Sequence, residues 1–207
     1  KHKIASNYGK SYYPSDYSPN AGWADYYGNE DFFKAYPNDD RKEWNYMTEW
    51  KIKSGEIIPY TESADKLPAI SKYYDYDEGA PGKSAQSNGI TCIYRYAAVL
   101  LMYAEASTRA TNSVNQDALN AIQEVQKRAG YQNRQIELTT TTEPAAFLTA
   151  VSNERGWEFF AEMKRWFELV RLEKVKEVRA EEWDASTFNT NHHYYFPVPY
   201  QQVDLAG

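Results

Sequence analysis

The chain has a single cysteine, Cys92, in 207 residues, which excludes an internal disulfide and leaves no companions for a cysteine-based zinc site. It has no block of Lys and Arg. With 23 basic against 29 acidic residues the formal charge is −6, and without clustered cations to displace counterions from phosphates, nucleic acid is not an expected partner. No apolar run approaches the roughly 18 residues that would suggest a membrane-spanning helix. The start, Lys1-His2-Lys3-Ile4, does not read as a signal peptide, so any membrane attachment is expected to come from elsewhere. No phosphate-binding loop, dinucleotide fingerprint, nucleophile elbow or HExxH helix occurs. No cofactor is expected, and compartment cannot be read from cysteine usage.

What the chain has in excess is aromatic surface: 16% of residues, with 19 Tyr and 6 Trp. Much of it lies among polar residues in the first third, where the tyrosines cannot all be core. With 42% hydrophobic and 25% charged side chains the composition is that of an ordinary globular protein, not a disordered one.

Composition divides the chain into residues 1–90 and 91–207. The first part is broken by Tyr13-Pro14, Ser18-Pro19, Ala21-Gly22, Tyr36-Pro37, Ile58-Pro59 and Ala80-Pro81-Gly82, signals that interrupt long helices. It reads as a loop-rich aromatic segment with a short helix-compatible piece at Glu30 to Tyr36 and a possible strand at Glu56 to Tyr60. From Tyr94 to Arg109 apolar residues occupy nearly every side, which predicts a helix buried around most of its circumference. Such a helix needs neighbours on several sides, so the chain is not expected to fold by itself.

After a polar turn, Ala118, Ile122, Val125 and Ala129 recur at helical spacing and Gly130 follows as a C-terminal cap. The resulting hairpin is close to the roughly 34 residues of a tetratricopeptide unit. A third helix is predicted from Thr141 or Thr142, with Pro144 in its first turn, to about Leu172, bent at Gly156. On it, Phe159, Met163, Trp166, Phe167 and Val170 would form one apolar face, and Glu154, Arg155, Glu158, Glu162, Arg165 and Glu168 a charged one with i, i+3 pairs. The stretch Tyr194 to Pro199 should be extended. The fold class is therefore all-α: tetratricopeptide-like hairpins with a long loop-rich aromatic segment.

Several candidate sites follow from residue type. A sugar ring packs its C–H face on an aromatic face while its hydroxyls seek polar groups at the rim. Trp23, Tyr26 and Tyr27, with Asn20, Asp25 and Asn29, supply that mixture, and Tyr12-Tyr13 with Asp16 and Tyr17 a second one. Alternatively, Trp23 anchors a loop in the core. Trp44, Tyr46 and Trp50 rank lower. Glu158 and Glu162 form the most enzyme-like pair, but their four-residue spacing on one helix and the arginines nearby favour ion pairing. His192-His193 lacks further ligands for a metal. Cys92, beside an apolar helix, reads as a small buried residue.

Three stretches resemble the SusD/RagB family. Arg95-Tyr96-Ala97-Ala98-Val99-Leu100-Leu101-Met102-Tyr103-Ala104-Glu105-Ala106 is similar to its R-Y-A-E-V-L-L-M-Y-A-E-A helix. Asn153-Glu154-Arg155 through Glu158, Glu162, Arg165-Trp166-Phe167-Glu168-Leu169 and Arg171 resembles its N-E-R, E-x-x-x-E and R-W-F-D-L-x-R run. Phe196-Pro197-Val198-Pro199 with Val203-Asp204 resembles its closing P-I-P segment. A weaker fourth match is Gly22-Trp23 followed by Asp31 to Tyr36 and Asn38-Asp39-Asp40-Arg41, with Asp40 where the family has proline. Ala98, Gly156, Trp157, Met163-Lys164 and Gln202 also depart from the pattern.

The resemblance covers roughly residues 22 to 204 and concerns the C-terminal portion of a much longer family member. It implies an all-helical, non-catalytic, lipid-anchored protein at the surface of the outer membrane. Such a protein binds oligosaccharide and sits over a TonB-dependent, SusC-like transporter, with the remaining N-terminal part of the protein as a further partner. Within this chain, Tyr13, Trp23, Tyr26 and Tyr27 are the candidate ligand-binding residues. The rivals are a helical-repeat scaffold for peptide or protein and, after it, a glycoside hydrolase.

Overall fold

The computed structural model describes residues 11–18, 21–73, 92–178 and 189–205. Ser18-Pro19 in part, Asn20, and the Ala80-Pro81-Gly82 break lie outside them. The chain divides into two compact units, Lys1–Glu162 and Met163–Gly207.

In the first unit two short helices come first. Asn29 caps α1 (Glu30–Ala35) by accepting the Phe32 N–H, and Asp39 caps α2 (Asp40–Asn45) by accepting that of Arg41. Two small antiparallel sheets follow: β1 (Tyr46–Met47) pairs with β4 (Ala69–Ile70), and β2 (Glu49–Lys51) with β3 (Ile57–Pro59). The strand expected at Glu56 to Tyr60 is thus β3. Opposite each other on β2 and β3, Trp50 and Ile58 turn inward while their neighbours face water, as the period of two requires.

The core is a helical hairpin with a third helix against it. It comprises α3 (Tyr96–Thr111), α4 (Gln116–Arg128) and α5 (Pro144–Glu158). Ala97, Ala104, Ala118 and Ala121 let the backbones approach, and Leu101, Ile122, Val125, Phe147 and Val151 fill the space between them. Asn115 caps α4, and Gly130 follows it with φ +85°, where a Cβ would overlap the Asp40 carboxylate. The left-handed φ is what favours glycine there, since the Asp40 carboxylate can move aside.

Two expectations need correction. First, α3 is one-sided rather than buried all round. Leu101 and Ala104 are fully buried, whereas Tyr96, Val99, Met102 and Tyr103 are 65, 52, 41 and 44% exposed, and Cys92 just before the helix is exposed. The second concerns the predicted third helix, which is not one rod to Leu172. It stops at Glu158, and α6 begins only at Arg165; Ala161 and Met163 between them have φ of 58° and 57°. Gly156 lies buried inside α5. Of the residues expected on the predicted helix's apolar face, Phe159 is in the core of the first unit, whereas Met163 and Phe167 are exposed.

The break has a tertiary cause. Side chains far away in sequence donate to the carbonyls that a continuing helix would have used. Lys72 Nζ reaches Glu158 O (3.2 Å) and Phe160 O (3.0 Å), Arg95 Nη2 reaches Glu158 O (2.6 Å), and the Tyr73 hydroxyl reaches Ala161 O (3.0 Å). Orphan carbonyls at a helix end need such partners.

In the second unit, α6 (Arg165–Arg171) and α7 (Val175–Val178) bury Leu169 and Val175. Two more short helices follow, α8 (Thr190–His193) and α9 (Tyr200–Leu205). His193 closes the helical turn of α8. Residues 194–199 form neither helix nor strand, and Phe196 packs its ring near Trp166 and Phe167 at 6.3 and 6.4 Å.

Candidate functional site

The tyrosines of the first segment divide into inner and outer sets. Tyr36 and Tyr46 are buried in a cluster of edge-on rings with Phe33 and Phe160. The Tyr36 hydroxyl donates to Trp157 O (2.7 Å) and accepts from Asn45 Nδ2 (2.8 Å). Tyr12 and Tyr13 are 5 and 1% exposed. Tyr13 stacks on Tyr17 at 5.2 Å, and Asp16 accepts the Trp50 indole N–H at 2.7 Å. The second sugar-like mixture is thus a packing knot, and the Tyr13 ring is buried in it. Gly22 serves the same knot: a Cβ there would overlap the Tyr13 backbone carbonyl, so its smallness admits the close approach of that backbone.

The outer set is different. Trp23 and Tyr26 are 48 and 55% exposed, with Asp25 exposed between them. Their backbone is pinned: the N–H groups of Asp25 and Tyr26 donate to Ser11 O, and that of Ala24 to Tyr13 O. Tyr27 is half-buried. Its hydroxyl donates to Asp65, and burial first, then that hydrogen bond, raises its pKa. Asn29 is engaged as the cap of α1. Of the lower-ranked aromatics, Trp50 and Tyr46 are buried and Trp44 is 68% exposed.

The largest polar cluster joins the acidic stripe of α5 to cations that sequence spacing did not reveal. Four cations, Arg41, Lys72, Arg95 and Arg128, meet four carboxylates, Asp39, Glu154, Glu158 and Glu162. Arg41 bridges Glu154 (2.7 Å) and Glu158 (2.8 Å) through Nη1 and holds Asp39 through Nη2 (2.6 Å). Glu158 also receives Arg95 and Arg128, while Glu162 receives Arg95 and Lys72, both at 2.7 Å. Tyr131 and Gln126 complete Glu154. Three carboxylates at i, i+4 and i+8 form one stripe along α5 and its end, and the signal was visible as that spacing. Its partners, 41, 72, 95 and 128, were not.

Electrostatics follow the geometry. Burial pushes the Glu158 carboxyl up, but Arg95, Arg128 and Arg41 outweigh it and hold it below the ordinary value. Glu162 is likewise raised by burial and more strongly lowered by Arg95 and Lys72, to about 2. Glu154 goes the other way, because its burial outweighs Arg41, whose charge is shared with Asp39 and Glu158. Burial lowers Lys72 against the pull of Glu162. Glu158 and Glu162 are therefore saturated with cations, and no cluster that could hold a metal occurs among the described residues.

Residues 8–207 match the model of the SusD family. SusD-like protein P2 of Formosa agariphila is 28% identical over 183 residues, which are 80% of this chain and 36% of that protein. SusD-like protein P25 of the same organism is 27% identical over 144 residues, 67% of this chain and 26% of that protein. The chain thus spans well under half the length of these relatives. Among solved structures, a SusD superfamily protein from Parabacteroides distasonis superposes with a TM-score of 0.65 at 23% identity, over 81% of this chain and 36% of that one. The surface glycan-binding protein A from Bacteroides uniformis does so with a TM-score of 0.62 at 25% identity, over 83% of this chain and 36% of that one. Arg41, Arg95, Glu154, Glu158 and Glu162, which lie in the stretches that resemble the family, converge in one buried network, and with a family match over nearly the whole chain this chain belongs to the SusD family.

Proposed function

We propose that this chain supplies a glycan-contacting surface of a nutrient-binding protein, with Trp23 and Tyr26 as the rings on which sugar stacks. One observation carries the reading: beside the buried Tyr12 and Tyr13, Trp23 and Tyr26 remain about half exposed on a pinned backbone. Family membership supports glycan as the ligand class, as does likeness to a protein named for surface glycan binding. Tyr27 flanks the pair and Tyr13 is left out. The protein captures oligosaccharide without turning it over; Glu158 and Glu162, the enzyme-like pair, act as network members.

In its full length the protein is proposed to sit on the outer-membrane surface, held there by a lipid anchor, and to hand ligand to a TonB-dependent, SusC-like transporter. No helix among the described residues is long and apolar enough to cross a membrane. Calorimetry of the full-length protein against xylan, β-glucan, mannan, pectin and alginate oligosaccharides tests the ligand class. Release of reducing ends that disappears in Glu158→Gln would instead establish hydrolysis.

A further inference from the structure

A continuous path runs from the ion network to the exposed face. Lys72 and Tyr73 lie side by side where the chain clamps the end of α5. Lys72 Nζ is held by Glu162 Oε1 (2.7 Å) and by the carbonyls of Glu158 and Phe160, and the Tyr73 hydroxyl by Ala161 O. The Tyr73 ring stacks on Tyr12 at 5.6 Å and 17°, and Tyr12, itself buried, meets Tyr26 at 5.5 Å and 51°. We propose that Tyr73, anchored by its own hydroxyl and by Lys72, is a positioning residue for the Tyr26 ring. The inference rests on the glycan reading, since Tyr26 is the ring that would touch sugar.

The physical reason is preorganisation. Tyr26 is 55% exposed, and a ring with so much freedom must be immobilised when a ligand stacks on it. Tyr12 limits that freedom while it is itself held by the stacked Tyr73 ring. Removing the Tyr73 ring leaves a gap beside Tyr12, so that Tyr12 and Tyr26 sample more orientations in the free protein. The ordering then falls on the binding step, where one immobilised side chain corresponds to about a three- to tenfold loss of affinity.

The test is a double-mutant cycle in the full-length protein. Calorimetry uses the tightest binder among the xylan, β-glucan, mannan, pectin and alginate oligosaccharides. Tyr73→Ala is expected to weaken binding about three- to tenfold, and Tyr73→Phe, which keeps the stacked ring but gives up the hydroxyl's hold on Ala161 O, to weaken it less. Tyr26→Ala is expected to weaken binding as well, and the double variant to be no weaker than Tyr26→Ala alone, because Tyr73 acts only through that ring. Should Tyr73→Ala lower the melting temperature severely, Tyr73→Leu keeps part of the volume without the flat stack and enters the same cycle.

Unchanged affinity in the Tyr73 variant, or additive losses in the double one, would overturn the positioning role while leaving the glycan reading intact. Wild-type affinity in both Trp23→Ala and Tyr26→Ala, or no binding of any probe, would remove the glycan reading and this inference with it.

Discussion

Around Glu158, charge is taken out of water and answered residue by residue; around Trp23 and Tyr26, aromatic surface is left in water beside polar groups. Each region inverts the usual placement. The buried charges are tolerated because four cations match four carboxylates and the remaining lone pairs find Tyr131 and Gln126. The exposed rings are tolerated because their backbone is tied down and Tyr12 backs one of them. The contrast separates two kinds of importance: residues that hold the loop segment on the helices, and residues available to a ligand.

The sharpest way to break that separation is to remove Arg41. Arg41→Ala strands Asp39 and Glu154 and takes one of three cations from Glu158, and should cost about 3 to 5 kcal/mol of stability, read as a lower denaturation midpoint. A core truncation within the hairpin, Leu101→Ala, should cost about 2 to 5 kcal/mol. If Arg41→Ala melts like the wild type, the network is not what holds the segment.

Acid titration acts on the same network. Glu158 and Glu162 have lowered pKa values, Glu162 to about 2 against an ordinary 4.5. Their stabilisation is complete above the unfolded value, about 4.5, and is lost as pH falls through the folded values toward about 2. Glu154, raised, has the opposite sign: ionising it opposes folding, and stability rises as pH falls through its folded value. Melting temperature measured against pH should therefore show an acid collapse below about pH 4.5, and Glu154→Gln should lose the rise that precedes it.

Trp23→Ala should leave the melting temperature nearly unchanged and weaken glycan binding by about 1 to 3 kcal/mol, by analogy with base stacking, where about 1.4 kcal/mol is tenfold. Trp44→Ala, also exposed but outside the pinned segment, is the control. A large loss of stability in the Trp23 variant would move that ring to the structural side of the comparison.

The smallest effect belongs to the open side of α3. Val99→Ser, at 52% exposure, should change the stability of the 207-residue chain by less than about 0.5 kcal/mol, yet reduce dye binding to exposed apolar surface. A loss comparable to that of Leu101→Ala would mean that this face is covered in solution.

Much of the helical scaffold could be read beforehand because helices report locally. Ala118, Ile122, Val125 and Ala129 set the period of α4, Gly130 closes it, and Pro144 opens α5. The split between Tyr13 and Trp23 could not be read, since both are aromatic residues beside turn signals, and only the close approach of Gly22 to the Tyr13 backbone sorts them. Nor does any glycine or proline mark the end of α5. There the chain turns because Lys72, Tyr73 and Arg95 capture its carbonyls.

By itself, then, the sequence determined the helical class, the hairpin and the family, through periodicity, capping residues and motifs that act over a few residues. Tertiary structure alone decided which charges are buried and which rings face water. Arg41, Lys72, Arg95 and Arg128 meet Glu154, Glu158 and Glu162 across separations of up to 117 residues, and pairing over such distances is set by how the elements pack, which no local pattern encodes.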